Sequence, residues 1–208
     1  MKVERFIFGP FETNTYVVSD EQHILLVDPA CYTPYEQQQL YNYINRQSIV
    51  NCQSSNRQLS IVATHGHLDH LWGAKWATET WHTPVLMHEA DIPMARAMQQ
   101  QYDLFGIRAT AEAFPMEPLN QQFSIFNFQF SIIPTPGHTP GSICLYFPND
   151  KTLLSGDTLF QMGYGRTDLP GGNMGQLIDS LEKLFTLPSD VLVYPGHGDF
   201  TTIGAEKR

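Results

Sequence analysis

Short apolar runs separated by turn-forming residues dominate the chain. "NTYVVSD" and "HILLVDPA" read as neighbouring strands, with Glu21 and Gln22 at the turn between them. "PYEQQQLYNYINRQ" changes the period, and puts Leu40, Tyr43 and Ile44 on one face of a helix. The polar "NCQSSNRQ" reads as a loop and "LSIVAT" as a short buried strand. "HLWGAKWATET" predicts a helix, "PVLMH" a strand, and "EADIPMARAMQQQYDLFG" one helix closed by Gly106. Pro115 and Pro118 make the stretch to residue 120 irregular. Strands return in "FSIFNFQFSIIPT", "SICLYFP", "TLLSGD" and "VLVYPGH", and "MGQLIDSLEKLFTLP" is the last helix. Two groups of strands with helices between them predict a layered α/β domain with its sheets inside.

Composition narrows the function. The 208 residues fit one domain, with 42% of them hydrophobic and 16% charged, the profile of an ordinary globular protein. A formal net charge of −9 and no Lys/Arg cluster argue against a nucleic-acid partner. No apolar run is long enough to span a bilayer, and "MKVERFIFGPFETNTYVV" has no signal-peptide apolar region, so a cytoplasmic protein without a membrane partner is expected. Cys31, Cys52 and Cys144 lack the spacing of a disulfide framework, and none sits inside a histidine cluster. Cys144, in "SICLYF", is expected to be buried.

The chemistry concentrates at the ends of strands. "SIVAT" leads into His65, "SIIPTPG" into His138, "TLLSG" into Asp157 and "VLVYPG" into His197. Loops at strand ends let a rigid sheet aim side chains at one point. With His67, Asp69 and His70 these make five imidazoles and two carboxylates. One tetrahedral zinc needs four donors, so seven donors suit two metals with one carboxylate shared. His65 and His67 stand two apart and point the same way in an extended segment, able to grip one ion. Asp69 and His70 come where the chain turns helical and aim elsewhere, so one loop can serve two ions about 3.5–4 Å apart. His23, His82 and His88 read as ordinary surface or core histidines, His88 being the closest to a ligand because it too ends a strand. Imidazoles crowded together without a metal gain nothing, and closed structural metal sites are often Cys-rich, unlike this one.

These segments resemble the metallo-β-lactamase superfamily. "THGHLDH" matches its HxHxDH signature, and "PGHTPGS", "SGDTLF" and "PGHG" match its other metal-binding segments in order. The resemblance runs from "NTYVV" to "TTIG" and implies a four-layer αββα sandwich over residues 1–208, with metals at one edge of the sheets. It further implies that His65, His67 and His138 hold one metal, that Asp69, His70 and His197 hold the second, and that Asp157 bridges them. Asp28 in "LLVDPA" matches an aspartate that supports the site from behind, with Ala30 where the family more usually has Gly. "GRTDLPGG" and "PGHGDFTTIGAEK" are similar to the compact branch of the glyoxalase II-like hydrolases, which act on thioesters of the S-D-lactoylglutathione type. Only eleven residues follow His197, so the C-terminal helical domain of two-domain glyoxalase II is not expected.

The resemblance thus implies a thioester hydrolase with two divalent metals, zinc first and iron or manganese as alternatives, since His and Asp donors suit all three. A water shared by two cations ionises near neutral pH and attacks the thioester carbonyl, because one zinc alone brings a water pKa to about 7. Asp69 binds the second metal and orients that nucleophile. Arg166 and Tyr164, on the Gly-rich loop after Asp157, are candidates to hold the carboxylate of a small-molecule thioester. The alternative for Arg166 is an internal pair with Asp168. The main rival function is a persulfide dioxygenase with one iron held by two histidines and an aspartate; "PGHGDFTTIG" resembles the hydrolases more closely.

Overall fold

The structure, a computed structural model, describes residues 1–49, 58–119 and 130–207. Residues 51–57 of the expected loop "NCQSSNRQ", Cys52 among them, and the first part of the strand "FSIFNFQFSIIPT" lie outside the described residues, while Gln58, the last residue of that loop, opens a strand.

The described chain forms two compact units. The first comprises Met1–Ala63, His67–Leu86 and Met94–Glu117. It carries most of a six-stranded sheet in the order β1 (Lys2–Phe8), β2 (Thr13–Ser19), β3 (His23–Val27), β4 (Gln58–Val62), β5 (Val85–Met87) and β6 (Met116–Pro118). The β1–β2 and β2–β3 pairs are antiparallel; β3–β4 and β4–β5 are parallel. Every residue of β2 and β3 is buried, including the polar Thr13, Asn14 and Thr15. Helix α1 (Pro34–Ile49) starts at a capping box: Thr33 Oγ1 accepts from the Glu36 N–H, and the Glu36 carboxylate accepts from the N–H groups of Thr33, Tyr32 and Gly9. Leu40 and Ile44 are buried, as their helical spacing requires, and Tyr43 packs edge-on against Phe6.

The second unit comprises Thr64–Gly66, Met87–Pro93 and Pro118–Arg208. The strands of its five-stranded sheet run in the order β13 (Thr201–Thr202), β12 (Leu192–Pro195), β9 (Thr152–Gly156), β8 (Ile143–Phe147) and β7 (Ser131–Pro134). Only the β12–β9 pair is parallel. Helix α5 (Met174–Leu184) begins at Asn173, whose side chain accepts from the Gln176 N–H. It buries Leu177, Ser180 and Leu184 on one stripe. Leu184 joins Cys144, Leu153, Leu159, Val191, Val193 and Ile203 in a fully enclosed cluster. Burial pushes the Cys144 thiol up to about 11, so it behaves as the small apolar residue the strand pattern predicts.

Two predicted helices differ. "HLWGAKWATET" begins as a 3-10 turn, Leu68–His70, and becomes α2 (Ala74–Trp81) only after Gly73. A side chain at 73 would put its Cβ 2.2 Å from the buried Cys31 sulfur. "EADIPMARAMQQQYDLFG" is a 3-10 turn (Glu89–Asp91) followed by α3 (Ile92–Arg96) and α4 (Met98–Leu104), broken at Ala97, whose ψ of 25° leaves the helical range. Gly106 closes it at φ 66° as expected. Strand β1, the short β6 and the hairpin β10 (Leu159–Phe160) with β11 (Gly163–Tyr164) were not foreseen. A two-residue strand carries no periodicity to read. Helix α6 (Ile203–Glu206) is a single turn capped by Thr202.

Candidate metal centre

Several of the ligand-type residues sit just past the ends of strands, and Asp69 and His70 lie on the 3-10 turn Leu68–His70. Strand β4 delivers Thr64 and His65, β9 delivers Asp157, and β12 leads into His197. Gly156 takes φ 49° to turn the chain into Asp157, and a Cβ there would lie 2.6 Å from the Thr64 hydroxyl. Glycine therefore serves both the backbone angle and the close approach.

Within the second unit, His65 and His138 meet edge-on, ring centroids 4.8 Å apart. His138 Nε2 and His197 Nε2 each lie 3.5 Å from the same oxygen, Asp157 Oδ2. Within the first unit, His70 Nε2 is 3.4 Å from Asp69 Oδ2. These separations exceed those of good N–H···O hydrogen bonds, which centre near 2.9 Å. They match metal ligands instead: two donors each about 2.1 Å from one ion at the tetrahedral angle are about 3.4 Å apart.

The second ring nitrogens are anchored. His70 Nδ1 lies 2.9 Å from Asp28 Oδ2, His138 Nδ1 lies 2.7 Å from the Arg166 carbonyl oxygen, and His65 Nδ1 lies 3.0 Å from the Thr64 hydroxyl. A carboxylate or carbonyl at Nδ1 fixes the proton there and turns the Nε2 lone pair outward, the arrangement of metal-binding imidazoles. Asp69 is held in turn by Thr13, whose hydroxyl donates to Oδ2 at 2.8 Å. The Leu68 N–H, at the start of the same turn, donates to Gln101 Oε1.

The potential ligands thus form two sets, His65, His138, Asp157 and His197 in the second unit and His67, Asp69 and His70 in the first. All seven sequence-predicted ligands appear in these sets. With nitrogen and carboxylate donors, mostly buried, and backed imidazoles, the residues fit divalent cations. Asp28 adopts φ 52°, a conformation uncommon for non-glycine residues. Thr15 supports that turn on both sides: its hydroxyl donates to the Asp28 carbonyl at 2.6 Å and accepts from the Ala30 N–H at 3.0 Å.

The remaining candidates do not join the ligand set, although the Arg166 carbonyl backs His138. Arg166 makes two bonds of 2.6 Å to the two carboxylate oxygens of Asp168, and both side chains are exposed. Tyr164 is exposed on β11. His88 Nδ1 accepts from the Ala90 N–H and caps a turn, His23 pairs with Asp20, and His82 ends α2 in the left-handed conformation. One residue escaped the sequence reading. Asp91 is fully buried, and its carboxylate bonds to Gly66, Thr139 and Gly141. Its only signal is an acid three residues after "PVLMH".

Among the described residues no helix is long and apolar enough to cross a membrane. Residues 8–197 match the model of the metallo-beta-lactamase superfamily. The chain is 34% identical to a probable metallo-hydrolase, YqgX, of Bacillus subtilis, covering all of this chain and 95% of that protein. It is 33% identical to the hydroxyacylglutathione hydrolase GloC of Haemophilus influenzae, covering all of this chain and 96% of that one. The crystal structure of TTHA1623 in a di-iron-bound form superposes with a TM-score of 0.85 at 31% identity, over 99% of this chain and 97% of that one. A matching family model over most of the chain, relatives matched nearly end to end, and clustered His and Asp ligands lead to one conclusion: the chain belongs to the metallo-β-lactamase superfamily, whose fold it has and whose members bind divalent metals.

Proposed function

We propose that the protein is a binuclear metal-dependent thioesterase acting on S-D-lactoylglutathione or a related hydroxyacyl thioester. The observation that carries this reading is the position of Asp157 Oδ2, 3.5 Å from the Nε2 atoms of both His138 and His197. In it, His65, His67 and His138 would hold one cation, Asp69, His70 and His197 would hold the other, and Asp157 would serve both. The thioester class is supported by the likeness to GloC over nearly its full length. Zinc is the first candidate metal, while the di-iron form of TTHA1623 supports iron equally well.

Two divalent cations at such a site would lower the pKa of water to near neutral and act as Lewis acids. The residues do the rest. Asp69 orients the attacking water, its carboxylate steadied by Thr13. Asp28 keeps the His70 proton on Nδ1. The leaving thiol has a pKa of about 8.5, as for cysteine, so no strong general acid is required. Arg166 and Tyr164 are assigned to the thiol-side carboxylate of the substrate, with Arg166 exchanging Asp168 for it.

Metal analysis of protein produced without added metal, paired with a lactoylglutathione hydrolysis assay, tests the reading. Two ions per chain and turnover that is lost to a chelator and restored by zinc, iron or manganese are expected. Two bound ions with no turnover on any hydroxyacyl thioester would overturn it.

A further inference from the structure

A charged side chain with no exposed surface needs a reason, because burying a carboxylate is costly unless it is well bonded. Asp91 is such a residue, at the end of the 3-10 turn after β5. Its Oδ2 accepts from the Gly66 N–H at 2.8 Å and from the Thr139 hydroxyl at 2.6 Å, and its Oδ1 accepts from the Gly141 N–H at 2.6 Å. These three donors belong to two separate loops. Gly66 lies between His65 and His67, and Thr139 directly follows His138.

The packing around it leaves little freedom. A Cβ at Gly141 would stand 2.7 Å from both Asp91 Cγ and Oδ1, so only glycine lets that loop reach the carboxylate. Thr139 is further tied to Ser142, through hydroxyls 2.7 Å apart and a 3.1 Å bond from its own N–H. The Ile143 N–H donates to the Thr64 carbonyl, joining the same two loops a second time. Bonds to an ionised acceptor are roughly twice as strong as neutral ones. One carboxylate thus clamps the loop of His65 to the loop of His138.

Granted the metal site proposed above, we infer that Asp91 is a positioning residue that sets the spacing of His65 and His138 and thereby the affinity of their metal site. Asn at 91 fits the same volume, but its amide nitrogen cannot accept a bond and would face one of the donors now held. Loss of such a support behind ligands typically costs 10–100-fold in metal affinity. That is the effect expected here, at the His65 site first.

The test is titration of metal-free wild type, Asp91→Asn, Thr139→Val and Thr139→Ser with cobalt(II), read by its visible absorption, with thermal unfolding of each metal-free protein alongside. The expected result is a 10–100-fold weaker first site in Asp91→Asn, a smaller loss in Thr139→Val, and recovery in Thr139→Ser. A merely structural role would lower the melting temperature without moving the cobalt affinity, and that result overturns the inference. Should Asp91→Asn fail to fold, the Thr139 pair decides: equal affinity of the Val and Ser variants overturns it. A wild type that binds no cobalt would instead sink the metal-site reading itself.

Discussion

His70 Nδ1 stands 2.9 Å from Asp28 Oδ2, and both side chains are almost wholly buried. The pair joins the end of β3 to the turn after β4, and it faces the imidazole outward through Nε2 toward Asp69. Asp28→Asn keeps the volume and removes the charge that holds the proton on Nδ1. The expected outcome is a metal affinity lower by about 10–100-fold at the site containing His70, with the fold retained. Isothermal titration with zinc checks it; unchanged affinity would mean that Asp28 only shapes the turn.

Asp157 makes a sharper case. Its Oδ2 is equally distant from two imidazole nitrogens that belong to different strand ends. Asp157→Ala is expected to lower metal content toward one ion or fewer per chain and to reduce turnover by orders of magnitude. Plasma emission spectrometry and the thioester assay measure both. A variant that kept two metals and near-normal turnover would remove the shared carboxylate from the scheme.

The part of this site legible in the sequence is the part carried by strands. Apolar runs ending in His65, His138, Asp157 and His197 announce both a strand and the residue it presents, because a strand of fixed direction must end at a loop. The helix signals are also plain where an apolar stripe is long, as in Leu177, Leu181 and Leu184 of α5. What was hidden depends on contacts between distant segments. Nothing local marks Thr13 as the partner of Asp69, fifty-six residues away, or Asp91 as the clamp of two loops. The break between α3 and α4 was hidden for the opposite reason: the side chains of "MARAMQQQ" keep helical character while one backbone angle at Ala97 departs from it. Arg166 shows a third limit, since a guanidinium fork suits a substrate carboxylate and Asp168 alike.

For Arg166, substrate binding and bracing give different kinetics. Arg166→Ala is expected to raise KM about tenfold, the effect of about 1.4 kcal/mol of lost binding, with kcat little changed. The bond to Arg166 holds the Asp168 carboxyl at about 2, below its ordinary 3.8. A carboxyl depressed on folding supports the pair above its ordinary pKa and loses it only as pH falls through the lowered one. Between pH 5 and 8 the pair is therefore constant, and Asp168→Asn should leave the pH profile of KM unaltered there. An Arg166→Ala protein with normal KM and a lower melting temperature would assign the pair to bracing the loop.

The second metal separates the hydrolase from the rival dioxygenase. Thioester hydrolysis by the proposed scheme needs two cations, the second of which Asp69, His70 and His197 would hold. A persulfide dioxygenase needs one iron with open positions, and these three residues would then only line its surroundings. His197 is the most open of the ligand histidines, its side chain 28% accessible against 0% for His70 and 3% for His138. Its replacement by Ala should therefore disturb packing little and act through ligation. His197→Ala is expected to lose one metal and cut lactoylglutathione hydrolysis by orders of magnitude, while wild type consumes negligible oxygen with glutathione persulfide. A wild-type chain that carries a single iron, consumes oxygen with persulfide and ignores thioesters would replace the hydrolase by the dioxygenase, leaving the fold and the His65, His67 and His138 set intact.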